Sequence, residues 1–191
     1  MAHLWLFRIG LTSELVAALF FLLAAWALYV LLKPVDKDIA LLFVLLNLVG
    51  VAIECTSTLI HFAPMLLLSD AGYLKVLRPD QLQGLAMFFL NFNGGMISIL
   101  FYGMWLFPLG YLVFKSGFLP RILGILLILD GSSCLISFFQ LCLFPGYEKL
   151  TYPLMPVMFI AEFGLALWLL IKGVKEHPSE AQAKAVLKDE T

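Results

Sequence analysis

The chain has 191 residues, of which 62% are hydrophobic and 13% charged, and its net charge is −1. Soluble domains carry about 25% charged and about 45–50% apolar residues, so a globule dissolved in water is excluded. The near-zero net charge also removes the basic field of a nucleic-acid binder.

The hydrocarbon core of a bilayer is about 30 Å thick and takes roughly 20 apolar helical residues to cross. Five stretches meet that length, at about 9–32, 39–68, 82–107, 119–143 and 152–174. Lipid offers no partner for backbone N–H and C=O groups, so spans must be helices or closed barrels. None alternates as a barrel strand does. The expected fold is an all-α polytopic transmembrane bundle, one domain over residues 1–175 with a polar tail over 176–191.

In the first span, Ala25-Trp26-Ala27 has the form of a signal cleavage site. The apolar run continues to Leu32, past the roughly 7–15 residues of a signal core, so a retained helix is expected. Lys33–Asp38 is a polar turn, with Asp38 placed to cap the second span. Pro64 removes a backbone bond near the end of that span, beside His61. Ser69–Asp80 could lay Tyr73, Leu74, Val76 and Leu77 in the headgroup region, and Asp80 caps the third span. An unbroken helix over Leu82–Lys115 would be about 50 Å long, so Pro108 is expected to kink or end it. Ser116-Gly117 closes that helix and Pro120 suits the first turn of the next. Phe144–Lys149 forms another turn. In the tail, Ser179 could cap a short helix.

Trp5, Tyr29, Trp105, Tyr111 and Trp168 read as interfacial anchors. Cys55, Cys134 and Cys142 show no paired spacing, so buried thiols are expected rather than a disulfide framework or zinc cage. Five spans put the termini on opposite sides. One side holds Arg8, Lys75, Arg78 and Lys149; the other holds Lys33, Lys37, Lys115, Arg121, Lys172 and Lys175, with Lys184 and Lys188 in the tail. Positive loops stay cytoplasmic. The expected location is therefore the cell (inner, cytoplasmic) membrane, with the N-terminus outside and the C-terminus cytoplasmic.

An ionised side chain at mid-membrane costs about 2.5–3.5 kcal/mol on insertion scales. Glu54, Asp130 and Glu162 nevertheless fall near span centres, and His61 and Glu14 nearer span ends. Asn47, Gly50, Glu54, Ser57, Thr58 and His61 recur at helical spacing on one face of the second span. Asn91, Gly94, Gly95, Ser98 and Tyr102 do so on the third, Asp130, Ser133, Ser137 and Gln140 on the fourth, and Glu162 stands on an apolar face of the fifth. Polar stripes in lipid are best satisfied facing one another. This predicts a pocket open toward the outer side and closed below, with an acidic floor. Its candidate residues are Asn47, Glu54, His61, Asn91, Asn93, Asp130, Ser137, Gln140 and Glu162.

Plainer readings stand beside this one. Acids bonded across a helix interface can be structural glue, Glu14 can answer a helix dipole, and Gly94-Gly95 can be close packing. No phosphate loop, nucleophile elbow or H-E-x-x-H sequence is present. The three histidines are too scattered for a multi-histidine metal site; a metal would have to use carboxylates and one histidine, and the sequence leaves any cofactor unknown.

Three segments are distinctive: Leu28-Tyr29-Val30-Leu31-Leu32-Lys33-Pro34-Val35, Leu109–Gly124 with its Ser116-Gly117-Phe118-Leu119-Pro120-Arg121 core, and Glu162–Gly173. Together they resemble a family of bacterial multi-pass membrane proteins catalogued only as a domain of unknown function, over about residues 5–175. Members of that family carry one further N-terminal helix, six in all. Without it, the resemblance implies an external N-terminus. The family has no established catalytic residues, so the resemblance assigns none here.

The expected function is non-enzymatic: binding of a small or lipid-like ligand, or service as an accessory subunit of a membrane complex. The expected partners are the bilayer and another membrane subunit or a second copy, not nucleic acid. A proton-coupled transporter using the buried carboxylates is one alternative, although no internal repeat supports it. An intramembrane hydrolase using His61 is another.

Overall fold

The computed structural model describes residues 2–67, 76–92, 96–144, 146 and 151–173. Asn93, Gly94-Gly95, residues 69–75 of the segment before the third span, residues 147–149 and the tail from residue 174 lie outside the described residues.

Among the described residues, seven α-helices follow one another: α1 (Ala2–Leu32), α2 (Lys37–Ile60), α3 (Ala63–Leu67), α4 (Pro79–Asn91), α5 (Met96–Ser116), α6 (Arg121–Leu143) and α7 (Met155–Ile171), the last preceded by a 3₁₀ turn at Tyr152–Leu154. They supply five helical segments long and apolar enough to cross a membrane. The protein is an all-helical, multi-pass membrane protein.

Local chemistry explains most boundaries. Asp36 sits at the N-cap of α2 and its Oδ1 accepts from the Ile39 N–H at 3.2 Å. Asp38, the cap expected from the sequence, lies instead in the first turn, where a negative charge still faces the helix dipole. Arg78, not Asp80, is the N-cap of α4, because Pro79 suits the first helical position and moves the start forward. Asp80 pairs with Arg78 at 3.1 Å. Gly117 ends α5 at φ 72°, a left-handed conformation that a side chain disfavours.

The interior breaks differ from those expected. α2 ends at Ile60, and α3 restarts just before Pro64. The third span is interrupted after Asn91, and Pro108 lies inside a continuous α5. α4 closes at its C-cap Phe92, whose backbone has left the helical region at φ −71° and ψ 109°. A membrane proline can persist where neighbouring helices hold the chain straight.

That support comes from α6. α5 packs most extensively on α6, then on α2, and also touches α1, while α6 carries α7. The α5–α6 seam is built on paired glycines. A Cβ on Gly124 would lie 2.7 Å from the Gly110 carbonyl oxygen, and one on Gly131 would lie 2.8 Å from that of Gly103. Water does not drive helices together inside lipid, so close backbone approach through small residues is the main source of attraction.

α5 is the axis of the core. Leu106, Leu109, Leu112 and Val113 are buried, against Phe43 of α2, Leu32 of α1 and Leu127 of α6. Trp105 belongs to this core, 4% exposed, rather than to an interfacial belt. Helices on several sides of α5 leave that position no lipid-headgroup boundary to reach. α1 and α7 make no extensive contact with each other, so a gap separates the first and last spans.

Candidate functional site

The site begins where a helix lacks a side chain. Gly50 of α2 faces Tyr102 of α5 so closely that an added Cβ would lie 2.9 Å from the ring Cε1. The Tyr102 ring therefore lies flat into α2. Phe21 of α1 meets it edge-on, with ring centres 5.5 Å apart, and meets Trp105 at 5.3 Å. Phe21 and Tyr102 form part of the wall of a cleft.

Glu54 lies one turn beyond Gly50 on the same face. The Ser98 hydroxyl, on α5, donates to its Oε2 at 2.6 Å. From α1, Glu14 accepts a longer bond of 3.4 Å from the Thr58 hydroxyl. Asp130 of α6 is 1% exposed. The Cys134 thiol, one turn on, donates weakly to its Oδ1 at 3.6 Å. The other carboxylate oxygen, Oδ2, is buried with no hydrogen-bond partner. Glu162 of α7 is exposed at the mouth between α7 and α1.

All four acids line one cavity of about 640 Å³. Tyr102 lies within electrostatic reach of Glu54 and Glu162, and Asp130 within reach of Glu162. The helices run alternately up and down, so the N-terminal halves of α1, α5 and α7 meet the C-terminal halves of α2 and α6. The acidic cavity therefore occupies the half of the bundle that carries the chain's N-terminus. The cavity opens sideways, between α1 and α7, rather than only at one end. It is also not closed below. A second cavity of about 640 Å³ continues down the same gap between Leu28 and Leu31 of α1 and Leu169 and Leu170 of α7. Phe21, Glu162 and Phe163 line both.

The polar residues named from the sequence thus divide. Glu54, Asp130 and Glu162 share the acidic cavity. Asn47 is fully buried, and neither its Oδ1 nor its Nδ2 has a partner; it does not line the cavity. His61 is tied elsewhere: its Nε2 stands 3.1 Å from the Phe92 carbonyl, which can only accept, so this nitrogen carries the proton. Asn91 is exposed and turns back to the Met87 carbonyl at 2.8 Å. Ser137 donates to the Ser133 carbonyl at 2.9 Å, and Gln140 to that of Phe144 at 3.0 Å. These last three are satisfied by their own helix or its end, a common outcome for short polar side chains on helices.

Three lining residues with ionisable side chains, Glu14, Tyr102 and Cys134, were not among the candidates. Tyr102 and Cys134 follow the register of Ser98 and Asp130. Glu14 had an assigned role at a helix start, but α1 begins at Ala2, so Glu14 lies about three turns inside, where the terminal dipole has faded. The spacing Glu14, Ala18, Phe21 places it on the face that meets α2 and α5. Among the described residues, no group of three or more His, Cys, Asp or Glu is close enough to hold a metal ion.

Comparison with known proteins gives two likenesses. A family model described as a domain of unknown function (DUF4386) matches residues 1–173. A protein of Archaeoglobus fulgidus described as uncharacterized is 32% identical over 151 residues, 79% of this chain and 75% of that one. No solved structure matches the chain.

Proposed function

We propose, from the premise that this chain belongs to the DUF4386 family, that it is a non-enzymatic membrane protein whose α1–α7 gap receives an amphiphilic, lipid-like ligand. One observation carries this reading: a cavity lined by four carboxylates opens sideways between α1 and α7, which make no extensive contact with each other, and continues into a second cavity whose lining is apolar apart from Glu162 and the Trp105 indole. Ligand sites are mostly apolar concavities with a few convergent polar groups. Here the polar groups gather at one end, which suits a molecule with a head and a tail. The gap also gives access from the bilayer plane, where such molecules are dissolved.

Native mass spectrometry of protein extracted with its own lipids tests the reading. A retained small amphiphile is expected, and its loss is expected when Ala27→Trp, in the lower cavity wall, fills the tail space. A chain that carries no amphiphile, before or after that change, contradicts the proposal.

A second reading draws on Glu54, Tyr102, Asp130 and Glu162 lining one cavity, a set of ionisable groups that could relay protons. If the protein moves protons, Glu162→Gln abolishes pH-driven flux in reconstituted vesicles. If it only binds, the same vesicles show no flux with or without the substitution. The accessory-subunit reading draws on the same open flank, since another chain could close it. It predicts stable co-purification with a second membrane protein from native membranes. Nothing favours a hydrolase, because His61 is engaged with Phe92 away from the acids.

A further inference from the structure

We infer that the head group received by the acidic cavity is cationic, an amine or quaternary ammonium joined to a hydrocarbon tail. This deepens the proposed ligand-binding reading and rests on it.

The lining supplies Glu14, Glu54, Asp130 and Glu162 and, among the described residues, no Lys, Arg or His. Two of these acids already have neutral donors, Ser98 for Glu54 and Thr58 for Glu14. Asp130 differs. It is 1% exposed, it lines the cavity, and its Oδ2 has no partner. A buried polar atom left unsatisfied costs about 1–3 kcal/mol, more if charged, and native structures rarely tolerate one without a reason. A cation seated beside Asp130 and within reach of Glu162 supplies both the missing hydrogen bond or ion contact and the compensating charge.

The walls suit the same occupant. Tyr102, Phe21, Phe159 and Phe163 line the cavity, and the last two rings stack 5.4 Å apart at 11°. Aromatic faces attract ammonium groups, most strongly where water is excluded. An anionic head would meet four carboxyl groups and, among the described lining residues, no basic side chain, and repulsion from an ionised carboxylate is strong in a medium of low dielectric constant. A neutral hydroxyl head could donate to Asp130 but would leave the charge of the cluster uncompensated. The tail then lies along Leu28, Leu31 and Leu169 in the apolar continuation.

The test uses the full chain in phosphatidylcholine nanodiscs and three probes with one tail: dodecyltrimethylammonium, dodecyl maltoside and dodecyl sulfate. Binding is read by native mass spectrometry across a concentration series. The cation is expected to bind at least about tenfold tighter than either other probe, a factor equivalent to about 1.4 kcal/mol. Glu162→Gln, at the exposed mouth, and Asp130→Asn, an isosteric change, are each expected to remove most of that preference. Helical circular dichroism and monodisperse elution matching the unsubstituted chain show that the variants are folded. If all three probes bind alike, or the preference survives both substitutions, the cationic inference is overturned while the amphiphile-binding reading stands. If none binds, both fall.

Discussion

At the residue scale, lipid sorts polar side chains by whether they can look after themselves. Thr12, Thr56, Ser132, Ser133 and Ser137 each return a hydroxyl hydrogen to the carbonyl four residues back, at 2.8–2.9 Å. A carboxylate has no hydrogen to return, so it must find donors on other side chains. The bond from Ser98 to Glu54 is the shortest such contact. Ser98→Ala is expected to lower stability by about 1–3 kcal/mol, because Glu54 loses its donor while remaining half-buried; thermal unfolding in detergent measures it. Two glycines respond differently to the same added methyl group. At Gly124 it meets backbone, 2.7 Å from the Gly110 oxygen and the Phe114 nitrogen. Gly124→Ala must force α5 and α6 apart, at a cost of about 1–3 kcal/mol typical of overpacking. At Gly50 the methyl group meets the Tyr102 ring, which can turn. Gly50→Ala is expected to cost less on the same melting scale while reducing ligand retention, since Tyr102 then moves in the cavity wall.

At the element scale, the decisive fact is which helices do not pack. α5 is enclosed by α1, α2 and α6, whereas α1 and α7 border a gap. Outward positions such as Phe20 and Leu23 on α1 and Leu170 and Ile171 on α7 are exposed, as lipid-facing residues should be. Helix ends follow local rules even within this apolar setting. Asp36→Ala is expected to cost about 1 kcal/mol through loss of the Ile39 cap. Asp38→Ala is expected to cost less, because Asp38 contributes only through the dipole, worth about 0.3–1 kcal/mol. Paired thermal melts of the two variants distinguish cap from dipole. His61 joins the end of α2 to Phe92, at the end of α4, and so fastens the N-terminal half of the interrupted third span to the second.

At the scale of the whole molecule, charge and depth are arranged together. Lys115, Arg121 and Lys172 stand 5.4–5.7 Å over the rings of Tyr111, Phe114 and Trp168, at the end of the bundle opposite the acidic cavity. Cations over aromatic rings suit either membrane interface, whereas the excess of Lys and Arg at this end favours the cytoplasmic side. We therefore expect the acidic cavity in the outer half and the C-terminus inside. A protease-sensitive tag at the C-terminus should be cut in inverted vesicles and protected in right-side-out ones; the reverse pattern would invert the assignment.

Much of this was readable from the residues alone. Long apolar runs specify helical spans because lipid leaves the backbone no other partner. Helical spacing picks out Glu54, Asp130 and Glu162 as polar positions within apolar spans, and all three line one cavity, Glu162 at its exposed mouth. The sequence could not tell which polar groups would be satisfied within their own helix, as Asn91, Ser137 and Gln140 are, because rotamers and helix ends decide that. Nor could it show the place of Glu14, which depends on where α1 starts, or the glycine seam, which depends on two helices approaching to backbone contact. Periodicity is a property of one helix. The sideways opening, its apolar continuation and the unpartnered oxygen of Asp130 are properties of how five spans are set around α5, and only their packing decides them.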